Sequence, residues 1–256
     1  MTSELALQVP EWTAPRSVGA AYSIRIGGVS KSPWASLNLG DHVGDDAQAV
    51  AENRRRLARG IGLPAESIAW LNQVHGTRVV EVTRQNLAGL PDADASFTRE
   101  PGVACAILTA DCLPVVLCDR EGTVVGAAHA GWRSLCGGVL ENLVDAMAVA
   151  GEDLQAWMGP AIGPGSFEVG PEVRAAFLEE DLAAERAFSA ADARPGHYFA
   201  DIYELARQRL VRAGVRSVTG GGFCTVDDDA RFYSYRRDGQ TGRMATLVWL
   251  THAASQ

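Results

Sequence analysis

The chain has 256 residues, with 31 acidic and 23 basic side chains and a formal net charge of −8. General nucleic-acid-binding proteins are basic, so this balance argues against that class. No apolar run approaches the roughly 18 residues of a membrane span. Glu4, Glu11 and Trp12 stand where a signal peptide would have a basic start and an apolar core. We therefore expect a cytoplasmic protein, monomeric by default, that binds neither nucleic acid nor membranes.

The length and the cysteines limit the architecture further. A chain of this size buries about 70–75% of the surface that its unfolded form exposes, so it needs no structural disulfide or metal. No segment has the composition of a linker, which predicts one domain over residues 1–256. The five cysteines are an odd number in a reducing compartment and are expected as thiols or metal ligands.

Strands dominate the predicted elements of the first half. A helix is predicted over residues 47–60, with Asp45 and Asp46 as N-cap candidates and Gly60 at its end. Short apolar runs bounded by Gly, Pro and Asp then predict a cluster of strands. These runs cover residues 66–71, 78–83, 103–108, 114–118 and 123–128.

Helices and strands are interspersed in the second half. Apolar residues at helical spacing after His129 predict one amphipathic helix that closes at Gly151. Several strands adjoin without a helix between them, so we expect an α+β fold with mixed sheets flanked by helices, and not a doubly wound parallel sheet. The remaining predictions are a strand at 154–158, a Gly/Pro loop at 159–171, helices near 171–184 and 201–213, and strands near 216–223, 231–235 and 244–250.

Two histidines and a cysteine at predicted element ends form the candidate site. His75 in NQVHG precedes a strand, Cys112 in TADCLP lies between two strands, and His129 in AAHAGWR lies where a strand meets a helix. Two imidazoles and one thiolate suit zinc or copper, and three protein ligands leave a fourth position open for chemistry. Their wide separations match no local metal motif, so polar residues that merely end strands are the alternative.

A second interpretation makes Cys112 a nucleophile. His129 or His75 would then act as its base, and Asp111 or Asp94 would orient that base, as in thiol hydrolases. Sequence spacing leaves both interpretations open.

The other cysteines and histidines follow no such pattern. Cys105 and Cys118 lie in apolar strands and Cys136 in a helix, where buried inert thiols are expected. The remaining histidines are expected to be surface or structural residues, namely His42, His197 and His252.

Arginines near the C-terminus are candidates for anion binding. The segment FYSYRRDGQTGR carries Arg236, Arg237 and Arg243, which with Arg133 could form an oxyanion cluster. The planar guanidinium group binds phosphate bidentately. Solvated surface arginines are the alternative.

A series of motifs runs through nearly the whole chain: GGVSKSPWASLNLGDHVGD, NQVHG, DADASFT, TADCLPVV, AAHAGWRSLCGGVLE, GPAIGPGSFEVG, HYFADIYELARQRL and FYSYRRDGQTGRMA. In content and order they resemble the bacterial YfiH family, the laccase-domain purine nucleoside phosphorylases formerly classed as multicopper polyphenol oxidases. The resemblance implies a YfiH-like, cysteine-hydrolase-like fold. It also implies a catalytic zinc ion held by His75, Cys112 and His129.

The resemblance further implies purine nucleoside chemistry. The expected reactions are phosphorolysis of adenosine, inosine and S-methyl-5′-thioadenosine to a free base and ribose 1-phosphate or its methylthio analogue, and deamination of adenosine to inosine. The chain has five histidines and no His-x-His pair, so any phenol oxidation would be a side activity of copper in the same site. A peptidoglycan-editing role is a further alternative.

Roles within that chemistry follow from residue type. Arg133 and the arginines of residues 236–243 are candidates for phosphate, and Asp111 or Asp94 for the proton carrier. Asn38, in the SLNLG segment, is a candidate for a contact to a ribose or base hydroxyl. The alternative for Asn38 is a turn-forming residue.

Overall fold

A computed structural model describes residues 7–89 and 91–252 of the chain. In these residues two large mixed sheets pack face to face, and helices cover their outer faces. The expected α+β class with mixed sheets and flanking helices is confirmed. One domain over residues 1–256 stays a prediction.

The strands of the described residues, in chain order, are β1 (Leu7–Gln8), β2 (Val18–Ser23), β3 (Ile68–Trp70), β4 (Val79–Glu81), β5 (Ala95–Thr98), β6 (Ala104–Thr109), β7 (Leu113–Asp119), β8 (Val125–Ala130), β9 (Leu154–Met158), β10 (Glu168–Val169), β11 (Phe188–Ala190), β12 (Tyr198–Ala200), β13 (Ser217–Gly220) and β14 (Met244–Leu250). One large sheet has the order β1-β2-β14-β6-β3 and the other β13-β9-β7-β8-β5-β4. The small third sheet has the order β10-β12-β11.

The helices are α1 (Ala47–Ile61), α2 (Trp132–Cys136), α3 (Val139–Met147), α4 (Pro171–Glu180), α5 (Ile202–Arg212) and α6 (Tyr235–Asp238). Helix α1 packs on the outer face of the β14-β6 sheet, and α3 and α5 pack on the outer face of the β7-β8 sheet. No helix among the described residues is long and apolar enough to cross a membrane.

The central strands read as continuous apolar runs because both of their faces are covered. In β7, Leu113, Val115 and Leu117 face the helices, whereas Val116 and Cys118 face the other sheet. All seven residues of β7 are buried. Alternate side chains of β7 therefore belong to two separate hydrophobic cores, one on each face of the sheet.

Two predictions about single residues are confirmed. Asp46 is the N-cap of α1, and its side chain accepts hydrogen bonds from the backbone N–H groups of Gln48 and Ala49. Cys105 and Cys118 are fully buried, and burial raises the pKa of each thiol to about 12. These two thiols are unreactive core residues.

Other predictions about elements were wrong. The single helix expected after His129 is two helices, α2 and α3, separated by Gly137 and Gly138. The strand expected near 231–235 is absent, since Ser234 caps α6 by accepting a hydrogen bond from the backbone N–H of Arg237. Helix α4 ends earlier than expected, because the Asp181 side chain caps a following 3-10 turn. Strands β1, β2, β5, β10, β11 and β12 were not predicted, since they are short or rich in Ala, Gly and Ser, which have weak strand propensity.

Candidate metal centre

Strand pairing brings Cys112, Asp94 and His129 together. His129 lies near the end of β8 and is paired with Pro114 of β7. On the other side of β8, Ala95 of β5 is paired with Ala128. Cys112 directly precedes β7 and Asp94 directly precedes β5, so both lie beside His129.

His75 reaches the same place from the other large sheet. It lies in the loop between β3 and β4, and its φ of 59° is left-handed. Gln73 holds this loop, because its side-chain amide donates to the carbonyl of Leu108 and accepts from the N–H of Leu108, both at 2.8 Å. The site therefore lies at one end of the two packed sheets. Gln73 was missed in the sequence, where a lone Gln carries no signal.

The three side chains are arranged as a metal-binding set. The ligand atoms of His75, Cys112 and His129 all lie within 4.8 Å of one another. A tetrahedral zinc ion separates its ligands by roughly 3.5 Å, and an upper limit of 4.8 Å is compatible with a set of that size. Gly131 makes room for it, since a Cβ there would lie 2.8 Å from Nδ1 of His75 and 3.1 Å from Sγ of Cys112. The donor set fits zinc or copper.

Asp94 is the buried carboxylate behind both histidines. It accepts a hydrogen bond from Nδ1 of His129 at 2.8 Å and from the backbone N–H of His75 at 2.9 Å. It also accepts from the backbone N–H groups of Val74 at 3.1 Å and Gly76 at 2.6 Å. Since Nδ1 of His129 faces Asp94, Nε2 is the nitrogen left for a metal ion. Such carboxylate–histidine pairs orient metal ligands in other proteins.

The charges of the site act on the pKa values of its histidines. Burial alone would lower the pKa of His129, but the interactions of His129 with Cys112 and with the Asp94 carboxylate outweigh burial and raise it to about 9. Burial lowers the pKa of His75, and the neighbouring His129 adds to that effect. The two imidazoles therefore differ, and a metal ion must displace a proton from His129.

A cavity of about 560 Å³ opens above these residues. One part of its wall is apolar and aromatic, formed by Leu108, Trp132, Ile162, Phe167, Ile202 and Tyr235. The rest is polar or charged, and besides the three candidate ligands it includes His42, Gln73, Asp111, Arg133, Arg236 and Arg243. The cavity combines a metal-binding set, cations and an apolar surface.

Asp111 lines this cavity and also binds three distant segments of the chain. Its carboxylate accepts the hydroxyl proton of Thr225 at 2.6 Å and the backbone N–H of Arg236 at 2.7 Å. Its carbonyl accepts from the backbone N–H of Ile162 at 2.9 Å. Its φ of 91° is a left-handed value that is energetically costly for a residue with a side chain. The resulting turn positions the next residue, Cys112.

Three of the four candidate arginines line the cavity. The Arg133 guanidinium stacks on Trp132 at 4.2 Å, and that of Arg236 lies 5.7 Å from the Phe167 ring centre. Arg243 is partly buried and lines the cavity as well.

Arg237 and Asn38 do not line the cavity. Arg237 donates to the backbone carbonyls of Thr225, Val226 and Phe232 and pairs with Asp238. Helix α6 turns the Arg237 side chain toward these carbonyls and away from the cavity.

The buried Asn38 amide binds backbone. It accepts from the N–H groups of Gly40 and Arg243 and donates to the carbonyl of Gly40 and to Asp45. This geometry favours the turn-forming alternative for Asn38. It also makes Asn38 a support for Arg243.

His42 was expected to be a surface or structural histidine, yet it lines the cavity. Its side chain stays exposed, and its only ion-pair partner among the described residues is Asp41 at 3.6 Å. Burial and the nearby Arg243 lower its pKa. The sequence around His42 contains no pattern that predicts a place in the cavity. His42 reaches the cavity because its loop folds against Arg243.

Comparisons with known proteins agree with the motifs. A family model for the multi-copper polyphenol oxidoreductase laccases matches residues 19–251. A Pseudomonas aeruginosa protein named purine nucleoside phosphorylase is 56% identical over 241 residues, covering 94% of this chain and 97% of the relative. An Escherichia coli protein with the name purine nucleoside phosphorylase YfiH is 52% identical over 244 residues, covering 95% and 98%.

Solved structures are similar over the same length. The crystal structure of a Neisseria meningitidis protein has a TM-score of 0.91 at 48% identity and covers 96% of this chain and 99% of its own. That of Bacillus licheniformis YfiH has a TM-score of 0.90 at 30% identity and covers 98% of both chains.

Proposed function

Because the chain belongs to the multi-copper polyphenol oxidoreductase laccase family, as its motifs implied, we propose that it is a zinc-dependent purine nucleoside phosphorylase. Its substrates are adenosine, inosine and S-methyl-5′-thioadenosine, and it also deaminates adenosine. The names of the two bacterial relatives support the phosphorylase assignment. The cytoplasmic location and the monomeric state stay predictions.

One observation carries the proposal: the metal-binding set shares a cavity with arginines that have no carboxylate partner. Most arginines of the described residues pair with Asp or Glu, as Arg209 does with Glu141. Within residues 7–89 and 91–252, Arg133, Arg236 and Arg243 form no ion pair, and they line the cavity together. Unpaired guanidinium groups beside a reaction centre suit an oxyanion such as phosphate.

Phosphorolysis forms a bond from a phosphate oxygen to C1′ while the C1′–N9 bond breaks. The electron pair leaves with the purine, which must gain a proton. Arginines hold hydrogen phosphate, which loses its proton as its oxygen bonds to C1′, and Asp111, the carboxylate that lines the cavity, is the proposed carrier of that proton to the purine. Asp94 is unsuited to that role, because it is fully buried and its carboxylate already accepts from Nδ1 of His129 and from the backbone N–H groups of residues 74–76.

His75, Cys112 and His129 would hold the zinc ion, and zinc would supply Lewis acidity at the base of the cavity. Asp94 holds Nδ1 of His129, and Nε2 would therefore be the nitrogen that binds the ion. The aromatic wall of Trp132, Phe167 and Tyr235 offers surfaces for a purine ring and excludes water from it. Copper would occupy the same three ligands, and phenol oxidation would be its side activity.

The thiol-hydrolase alternative retains one argument. Cys112, His129 and Asp94 follow one another in the order of a catalytic triad, with His129 between the thiol and the carboxylate. A triad has no use for His75, whose ligand atom lies within 4.8 Å of the other two. The third donor favours a metal site. Peptidoglycan editing remains the alternative without nucleoside turnover, and no particular residue favours it.

The test is turnover of adenosine, inosine and S-methyl-5′-thioadenosine, each with and without inorganic phosphate, followed by chromatography. We expect phosphate-dependent release of free base and, from adenosine, some inosine without phosphate. Elemental analysis should find zinc, and Cys112→Ala and His129→Ala should lose both zinc and activity. Absence of turnover for all three nucleosides would overturn the proposal. Activity that survives complete chelation but is abolished by alkylation of Cys112 would instead favour the hydrolase.

A further inference from the structure

A second, smaller cavity adjoins the metal cavity. Its volume is about 440 Å³, and it shares His42, Tyr235 and Arg243 with the larger one. Arg133, Arg236 and the three candidate metal ligands line only the larger cavity. The arginines that were grouped by residue type therefore divide into two sets by position.

Arg243 is held in place before any ligand binds. Nη1 donates to the carbonyls of Thr241 and Gly242 at 3.1 and 3.0 Å. Its backbone N–H donates to the Asn38 side chain at 2.9 Å. An arginine fixed in this way loses little entropy when it binds an anion.

The charge of Arg243 is not balanced by a carboxylate. Burial lowers the pKa of its guanidinium, while Cys112 and Asp111 act in the opposite direction without contacting it. Both carboxylate oxygens of Asp111 are used by Thr225 and Arg236. Among the described residues, Nε and Nη2 of Arg243 have no hydrogen-bond acceptor. A partly buried cation with two unused donor nitrogens is stabilised when it binds an anion.

His42 stands next to Arg243 and can add a neutral acceptor. Nδ1 of His42 faces the Asp41 carboxylate, which places the N–H there and leaves Nε2 free to accept the hydroxyl proton of hydrogen phosphate. Burial and Arg243 lower the pKa of His42, which favours this neutral form.

We propose that Arg243 and His42 form the binding site of the inorganic phosphate, where the two cavities meet. Arg133 and Arg236, which lie against Trp132 and Phe167, then face the nucleoside. This inference rests on the proposed function for its ligand, inorganic phosphate. It replaces a general arginine cluster with one guanidinium and one imidazole at a defined position.

The test uses the zinc-loaded full chain and inorganic phosphate as the probe. In Arg243→Gln, the KM for phosphate should rise about ten- to a hundredfold, as expected for one lost charge-assisted hydrogen bond. The stabilisation of wild type by phosphate, measured as a melting-temperature shift against potassium chloride of equal ionic strength, should disappear. His42→Gln, at an exposed side chain, should raise the same KM about three- to tenfold.

Arg120→Gln is the matched control, because Arg120 is exposed and lies outside both cavities. It should leave the phosphate KM and the phosphate-induced shift unchanged. If Arg243→Gln unfolds at too low a temperature to assay, Arg243→Lys can replace it. Lysine keeps the positive charge but lacks the planar pair of N–H donors, so it should still weaken phosphate binding.

Two outcomes separate this inference from the proposed function. Phosphate-dependent base release with an unchanged phosphate KM in both Arg243→Gln and His42→Gln overturns the phosphate site alone. In the second outcome, wild type releases no base but is stabilised by phosphate, and Arg243→Gln loses that stabilisation. This result overturns the proposed function and keeps the anion site.

Discussion

At the level of single residues, the Asp94 carboxylate accepts four hydrogen bonds beside the candidate metal ligands. Its carboxylate holds the backbone of His75 and the ring of His129, although it touches neither donor nitrogen that a metal ion would use. Hydrogen bonds from the His129 side chain and the backbone lower the pKa of Asp94, even though its burial acts in the opposite direction. Asp94 is therefore ionised and positions both histidines.

We expect Asp94→Asn to weaken zinc binding about ten- to a hundredfold, the range found for carboxylates behind metal-bound histidines. The amide removes the negative charge and one acceptor from a group that serves four N–H donors. Competition with a chromophoric chelator measures the zinc affinity without reference to turnover.

Asp92→Asn is the control for this substitution, since Asp92 is exposed and its one side-chain hydrogen bond within residues 7–89 and 91–252 is accepted from Asn72. Its zinc affinity should match that of wild type. Wild-type zinc affinity in Asp94→Asn would show that the loop backbone alone orients the histidines.

At the scale of elements, α3 packs closely on β8 at Gly126. A Cβ at Gly126 would lie 3.0 Å from Cδ1 of Leu143, 3.1 Å from Sδ of Met147 and 3.3 Å from Cβ of Phe97. Leu143 and Met147 are fully buried. The same strand carries His129 near its end, so the fit of α3 against β8 supports the position of the metal centre.

Gly126→Val should therefore destabilise the protein by about 1–3 kcal/mol, the usual cost of overpacking a core. For a chain of this size the melting temperature should fall by about 2–4 °C per kcal/mol. Thermal unfolding of the metal-free protein measures this fall in melting temperature.

Gly165→Ala provides the comparison, because no heavy atom of the described residues lies within 4 Å of a Cβ built there. It should change the melting temperature little. An unchanged melting temperature in Gly126→Val would mean that α3 can shift without cost.

At the scale of the whole molecule, carboxylates with lowered pKa link stability to pH. Hydrogen bonds from Gln208 and Arg186 lower the pKa of Glu204 in spite of its burial, and the hydrogen bond from Arg237 lowers that of Asp238. A carboxyl group whose pKa is lower in the folded state stabilises the fold above its unfolded pKa, and the stability is lost as pH falls through the folded pKa.

The free energy of unfolding of metal-free protein should thus fall as pH drops below about 4.5, the ordinary value for Glu, and fall further below 3.8, that for Asp. Urea unfolding between pH 7 and pH 3, at constant ionic strength and with a chelator present, measures the slope. Glu204→Gln should reduce that slope. A flat profile would contradict the role of these carboxylates.

Much of the fold was predictable because it depends on local patterns. The strand 154–158 and the start of α1 at Asp46 follow from short-range residue order. The wrong strand near 231–235 shows the limit of such patterns, because YSYRR is compatible with either state. Its backbone follows α6 since the Ser234 hydroxyl and the Asp111 carboxylate bind N–H groups of Arg237 and Arg236.

The donor types of the candidate site, His75, Cys112 and His129, and their positions at element ends could be predicted from the order of the residues alone. Which charged residues join them depends on the folded chain. Pairing of β5 with β8 sets Asp94 behind His129, and Arg243 and His42 line both cavities whereas Arg237 lines neither. Local sequence governs backbone preference and alternation, whereas proximity across the two sheets comes from burying their faces together, which no short pattern encodes.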